Sequence, residues 1–232
     1  AAGNLCVADE GNHRIRKVTL SRWIVPSSAR APGVPGSFWT TELTLHNRGP
    51  EAASASLRFL GNGDDTRGRP ETSLSIPPYQ SVSIPDVLSS AFALADGFGA
   101  IEVLASSGRI AVRSRTSTPA FAGSVGDGLP GVPQRAFFTD QTSPPPVLIG
   151  LREDDDFRSN LILVNGSASP VTIGVLARDG SGAPVGERSY TLPPHGMVQD
   201  SGFLRGPQFS AGAGTIVSVA ISSTTPGASF TA

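Results

Sequence analysis

The sequence is poor in the residues that staple small folds or carry chemistry. It has one cysteine, Cys6, which excludes an internal disulfide framework and a four-cysteine zinc site. Its three histidines, His13, His46 and His195, stand far apart, and none has a metal-type partner two or four positions on. No apolar run approaches the roughly 20 residues a helix needs to cross a bilayer, so no membrane span is expected. Neither sign of charge is in excess: Lys+Arg is 18 and Asp+Glu is 19, a net charge of -1. A dedicated nucleic-acid binder needs surplus positive charge to release counterions, so no nucleic-acid partner is expected. The familiar catalytic patterns are missing too. There is no G-x-S-x-G elbow, no HExxH, no phosphate-binding G-x-x-x-x-G-K-[ST] and no G-x-G-x-x-G between a strand and a helix. The chain starts without Met, and no signal peptide is visible.

What the sequence does have is glycine and proline, 27 and 20 of 232 residues. That share is high but below the level of a low-complexity chain. The length suits one large domain or two of ordinary size. A search for internal repeats favours two. Thr41-Glu42-Leu43-Thr44-Leu45-His46-Asn47 aligns with Ser159-Asn160-Leu161-Ile162-Leu163-Val164-Asn165, 118 residues later. Ser75-Ile76-Pro77-Pro78 aligns with Thr191-Leu192-Pro193-Pro194 at an offset of 116. Gly99-Ala100-Ile101-Glu102-Val103 aligns with Gly214-Thr215-Ile216-Val217-Ser218 at 115. Matches in one order at a nearly constant offset point to a duplicated domain.

Each copy reads as β-strand. Leu43/Leu45, Leu57/Phe59, Leu74/Ile76, Val82/Ile84, Ile101/Val103 and Ile110/Val112 alternate with polar residues, the period of a strand with one buried face. Leu161/Leu163, Val171/Ile173/Val175, Tyr190/Leu192 and Ile216 to Ile221 repeat the pattern. Turn chemistry lies between them at Asn47 to Pro50, Gly61 to Asp64, Ser106 to Gly108 and Asp179 to Gly182. Short strands with a turn about every 8–12 residues predict sandwiches, and an immunoglobulin-like one fits best, without the usual Cys and Trp signature. The one helical piece is Asp86 to Phe92, with Pro85 and Asp86 as its start signal. Pro130, Pro133 and Pro144 to Pro146 suggest a stiff linker, within which Phe137 and Phe138 read as packing into a strand.

The opening stretch, Gly3-Asn4-Leu5-Cys6-Val7-Ala8-Asp9-Glu10-Gly11-Asn12-His13-Arg14-Ile15-Arg16-Lys17-Val18, resembles an NHL repeat. That resemblance implies part of a propeller blade, with Asn12 and His13 in the turn that holds it. Such a blade cannot bury its own face, so a neighbouring propeller is implied. Cys6 would sit buried and inert in it. The remainder resembles a tandem β-sandwich module of large secreted or surface proteins of bacteria. The residues that carry this are Thr41 to Asn47, Ser159 to Asn165, Ile76 to Gln80 and Leu192 to Gly196. In a bacterial protein the sequon Asn165-Gly166-Ser167 reads as a turn.

Several residues are candidates for chemistry. If Leu43 and Leu45 point inward, Glu42, Thr44 and His46 line the other face together. His195 stands in an exposed turn, where the first copy has Tyr79. Glu153-Asp154-Asp155-Asp156 offers hard oxygen ligands for Ca²⁺, although EF-hand spacing is absent and Arg152 and Arg158 flank the run. Asp64-Asp65 is a weaker version. Arginine outnumbers lysine 17 to 1, and Arg113 and Arg115 alternate on one strand near Arg109. Such a face could hold an anionic glycan, carboxylate or phosphate through bidentate contacts. Trp39 offers a sugar-stacking surface, or else core packing.

The reading that follows is all-β: two tandem immunoglobulin-like antiparallel β-sandwiches with minimal helix. Residues 1–20 are the NHL-repeat remnant, 21–129 the first sandwich, 130–146 the linker and 147–232 a second sandwich cut within its last strand. The expected function is a non-catalytic structural or adhesion module, extracellular or in the cell envelope, with a protein or glycan surface partner. No cofactor is expected. The alternatives are a metal-dependent ester or phosphoester hydrolase, using Ca²⁺ or Zn²⁺ at His46, His195, Asp154, Asp155 or Asp156, and a carbohydrate-binding module using Trp39, Arg113 and Arg115. The open edge of the truncated last strand leaves room for a homodimer by strand pairing.

Overall fold

The computed structural model describes residues 5–9, 14–18, 20–33, 36–63, 71–106 and 109–232. Strand is the dominant element, and the one α-helix among these residues has six residues. At the start, β1 (Leu5–Asp9) pairs antiparallel with β2 (Arg14–Val18), with Leu5 opposite Val18 and Asp9 opposite Arg14. The expected Asn12–His13 turn and the Cys6 side chain lie outside the described residues, as do Asp64, Asp65, Ser107 and Gly108. The chain divides into two compact units, Ala1–Phe59 with Gly68–Arg135, and Leu60–Arg67 with Ala136–Ala232.

The first unit holds β3 (Ser21–Pro32), β4 (Phe38–Asn47), β5 (Ala53–Gly61), β6 (Thr72–Ile76), β7 (Ser81–Ile84), α1 (Val87–Phe92), β8 (Gly97–Ala105), β9 (Ile110–Ala120), β10 (Gly123–Pro130) and β11 (Val132–Pro133). The strands pair in the order β10-β9-β4-β3-β8-β5-β6, with β7 on β4 and β11 on β3. The long β3 joins the two halves of this path. Its end, Arg30 to Pro32, pairs with β4, and residues from Ser21 to Arg30 pair with β8. Its register shifts between Val25 and Ser28, around Pro26, whose missing N–H suits a bulge. Alternation then decides what is buried. Leu43 and Leu45 of β4, Leu57 of β5, Ile101 and Val103 of β8 and Ile110 of β9 turn inward to one core with Trp23 and Val25. Each such side chain contributes about 1.5–3 kcal/mol through the apolar area it buries. Val87 and Leu88 of α1 close that core.

The start of α1 differs from the expected cap. Asp86 has φ 44° and makes no side-chain cap. Its carboxylate instead accepts from Arg30 Nε at 3.0 Å, and a charged partner competes better for it than a backbone N–H.

The second unit holds β12 (Phe138–Thr139), β13 (Val147–Leu151), β14 (Asn160–Asn165), β15 (Val171–Arg178), β16 (Pro184–Leu192), β17 (Met197–Ser201), β18 (Val217–Ser223) and β19 (Ser229–Thr231). They form two four-stranded sheets, β12-β19-β14-β17 and β13-β18-β15-β16. Thus β14 lies between β19 and β17, as β4 lies between β9 and β7, and β15 lies between β18 and β16, as β5 lies between β8 and β6. Leu161, Leu163, Ile173, Leu192, Val219, Ile221 and Phe230 share the core, with Phe203 and Phe209 edge to face at 5.5 Å.

Two expectations change here. Ile216 is 63% exposed, and Val217, Val219 and Ile221 face the core instead. Ile101 therefore corresponds in burial to Val217, and a one-residue slip moves a whole strand face. The last strand has no free edge, because β19 sits between β12 and β14, with Phe138 and Phe230 rings 5.9 Å apart. The proline-rich segment 130–146 carries pairing of its own. Val132 and Pro133 pair with Ile24 and Trp23 in the first unit, and Phe138 and Thr139 pair with β19 in the second.

Candidate functional site

The repeated motifs serve the backbone first. Asn47 is fully buried, and its Nδ2 donates to the carbonyls of Glu51 at 2.7 Å, Ile76 at 3.2 Å and Pro77 at 3.3 Å. Its Oδ1 accepts from Gly49 N at 2.9 Å. Asn165 repeats this with Ser169 at 2.8 Å, Leu192 at 3.4 Å and Pro193 at 2.9 Å, and accepts from Ser167 N at 2.7 Å. The Asn that ends one motif thus holds the Pro-Pro turn of the next. Thr41 and Ser159 also act alike. Thr41 Oγ1 exchanges hydrogen bonds with the backbone of Ala29, at 2.7 and 3.1 Å. Ser159 Oγ does so with Arg152, at 3.0 and 2.8 Å. Tyr79 and His195 both take positive φ, 55° and 52°, in the two Pro-Pro turns. Tyr79 N donates to Gly49 O and His195 N to Ser167 O. His195 is half-buried rather than exposed.

The acidic run before β14 is largely engaged internally. Asp154 Oδ1 accepts from the N–H groups of Asp156 and Phe157, each at 2.9 Å, and Oδ2 pairs with Arg152 Nε. Partial desolvation would raise the Asp154 pKa, but the Arg152 hydrogen bond and the two backbone N–H groups outweigh it and hold the carboxyl below its ordinary value. Glu153 accepts from Ser159 N at 3.1 Å and pairs with Arg205 Nε at 2.8 Å. Asp155 and Asp156 are exposed. His46 belongs to the first unit, whereas His195 and Asp154 to Asp156 belong to the second. Among the described residues, no group of three or more His, Cys, Asp and Glu side chains is placed to hold a metal ion.

Two sets of candidates do share one surface. β4 pairs with β9 so that Glu42 faces Arg115, Thr44 faces Arg113 and His46 faces Ala111. β7 adds Ser83 beside Thr44 and Ser81 beside His46. All lie on the face opposite the Leu43–Leu45 core side. His46 Nδ1 is hydrogen-bonded to Ser81 Oγ at 3.0 Å, Thr44 Oγ1 to Ser83 Oγ at 3.3 Å, and Ser83 Oγ also donates to Glu42. Arg115 donates to Ser117 Oγ at 3.1 Å and to Ser124 Oγ at 2.8 Å. Arg113 lies over Gly128, where a Cβ would come within 2.8 Å of Nη2. Arg48 and Arg109 continue the face at its far end, with Arg48 N bonded to Arg109 O at 2.9 Å. The sequence marked Arg113 and Arg115 but not the serines. The Ser-x-Ser spacing of β7 was their signal.

Trp39 is set apart from this face. Its indole is half-buried against Gly33, where a Cβ would meet Nε1 at 2.4 Å. Phe38, the more exposed neighbour at 40%, lies under the Arg30 guanidinium at 5.1 Å. A further cluster gave no sequence signal beyond a lone acid in an apolar strand. Glu102 of β8 is 2% exposed and pairs with Arg22 and with Arg58, the latter at 3.2 Å. Shallow clefts of about 220 Å³ beside Trp23 and Pro133, and about 420 Å³ over Gly174 and Ser189, line the first and second units respectively.

No family model matches the chain, and no curated protein matches it. Among solved structures, the crystal structure of Thermotoga maritima 1070 is similar at 15% identity and a TM-score of 0.39, over 48% of this chain and 91% of that one.

Proposed function

We propose that the chain is a pair of tandem immunoglobulin-like β-sandwich units acting as a non-catalytic structural and adhesion module of a bacterial secreted or surface protein, with an NHL-type propeller in front. One observation carries the reading. The residues that repeat between the units, Asn47 with Asn165 and Thr41 with Ser159, are buried or bonded to backbone, so what recurs is scaffold. Recurring scaffold with differing outer faces suits a spacer whose surfaces meet partners. His46 and His195 stand in different units, and Glu153 and Asp154 are held by Arg205 and Arg152. The test is turnover of activated carboxylate and phosphate esters, with Ca²⁺ or Zn²⁺ supplied and then chelated. The module reading expects none. Turnover that disappears with chelator and in a His46→Ala or Asp154→Asn variant would replace it with the hydrolase reading.

A further inference from the structure

We propose that the outer face of β4 and β9 is a docking surface for an extended anionic polysaccharide bearing carboxylates. This rests on the adhesion reading and names the ligand. The argument starts from how the arginines are matched. Arg22, Arg30, Arg58, Arg152, Arg188 and Arg205 each pair with a carboxylate. Arg48, Arg113 and Arg115 have no carboxylate partner among the described residues, and of the others that lack one, Arg135, Arg158 and Arg178, none is on β4 or β9. Although the whole chain carries a net charge of -1, cations gather on this face with Glu42 as the lone opposing charge among its described residues.

The chemistry of the face narrows the ligand. Arg113 and Arg115 are exposed and two positions apart on one strand, so they repeat at about 7 Å along the sheet. Each guanidinium has five N–H groups in a planar fork that matches a carboxylate. Arg115 commits two of its N–H groups to Ser117 and Ser124 and keeps the rest. The serines hold the fork without neutralising it. Beside the arginines run Thr44, Ser81, Ser83 and His46, donors and acceptors suited to sugar hydroxyls. From Glu42 to His46 the outward residues of β4 and their partners on β7 and β9 include no Phe, Tyr or Trp, the exposed Tyr79 standing in the Pro-Pro turn beyond them, whereas single-stranded nucleic acid is held largely by stacking. Charge and hydroxyl chemistry together therefore favour an acidic glycan over a nucleic acid.

The test uses the whole chain and polygalacturonate as the probe, with neutral dextran, poly-L-glutamate and duplex DNA as separate arms. Binding is measured at about 50 and 200 mM salt, because neutralised anions release counterions. Polygalacturonate should bind, more weakly at the higher salt, and dextran should not. Arg113→Ser/Arg115→Ser should weaken binding about tenfold or more with an unchanged melting temperature, while Arg178→Ser leaves it unaltered. The proposal is overturned if the unmodified chain does not bind, if the double variant binds as well, or if DNA or poly-L-glutamate binds as tightly. None of these outcomes alters the ester-turnover test, so loss of the glycan leaves the module reading standing, and turnover removes that reading whatever binds.

Discussion

Asn165 donates its side-chain amide to the carbonyl of Pro193 at 2.9 Å. That bond ties the end of β14 to the turn between β16 and β17, which lie on different sheets. Asn47 makes the matching bond to Pro77 at 3.3 Å. A buried amide that ties a strand end to a distant turn fixes their relative placement, because its partners have no water to turn to. Replacing Asn47 or Asn165 with Ala should cost about 3 kcal/mol each, since several backbone groups lose their partner at once. Asn165→Asp should be worse than Asn165→Ala at neutral pH, because a carboxylate accepts only and would face three carbonyls. Its carboxyl would be held protonated above its unfolded pKa, so that variant should gain stability as pH falls. Urea unfolding against pH reads all of this, and equal midpoints for the Ala and Asp variants would contradict it.

The Glu102 cluster makes a second prediction. Two arginines bracket one buried carboxylate on β8. Glu102→Ala leaves Arg22 without its counter-charge at a buried position and should cost about 3–5 kcal/mol. Hydrogen exchange should quicken in β3, β5 and β8 and stay unchanged in β14 and β15. The pair of Arg58 with Glu71 is more exposed, so Glu71→Ala should cost about 1 kcal/mol or less and lose its effect in high salt. A loss in Glu102→Ala no larger than in Glu71→Ala would refute the distinction.

These two clusters also mark how far the sequence could be read. Alternation at Leu43/Leu45 and Leu161/Leu163 named the buried faces, because a half-buried strand must alternate. It failed at Ile216, where a Gly-rich approach to β18 shifts the phase by one and nothing local marks the shift. The repeated Asn47 and Asn165 were visible as letters, but their role needs carbonyls about thirty residues away to close on them. Arg113 and Arg115 were legible as an alternating pair. That they share a face with His46 depends on the β4–β9 register, a pairing across 65 residues from His46 to Ala111, which no short-range pattern encodes. Glu102 read as part of a repeat, and its burial became visible only with Arg22 and Arg58 beside it.

Asp179 supplies a prediction on pH. Its Oδ1 accepts from Ser181 Oγ at 2.7 Å, Ser181 N at 2.9 Å and Ala183 N at 3.0 Å, closing the turn between β15 and β16. The Ser181 hydroxyl, then the backbone N–H groups, hold the carboxyl below its ordinary value. The sign follows from linkage. The folded pKa is depressed, so the contribution is complete above the unfolded value and is lost as pH falls through the folded one. Amide exchange at Ser181 and Ala183 should therefore speed up on acidification beyond the intrinsic trend. Asp179→Asn should remove that pH dependence, and an unchanged dependence would sink the assignment.

Tyr190 supplies the opposite case. Its phenol donates to Asp200 Oδ2 at 2.6 Å, and Arg188 Nη1 donates to the same oxygen at 2.7 Å while its guanidinium lies 4.8 Å from the Tyr190 ring centre. Burial, and then the bond to Asp200, push the phenol well above its ordinary value. The folded chain thus keeps a proton that the unfolded chain releases near pH 10, so stability falls as pH rises beyond about 10. Tyr190→Phe should flatten that alkaline fall, at a cost of about 1–2 kcal/mol near neutrality for the lost bond to a charged acceptor. In a Tyr79→Phe background, ultraviolet titration reports Tyr190 alone. It should show no phenolate until the second unit opens, with the absorbance change tracking loss of near-ultraviolet dichroism. Ionisation at an ordinary tyrosine pH while the dichroism stays intact would show that Tyr190 does not bond Asp200 in solution.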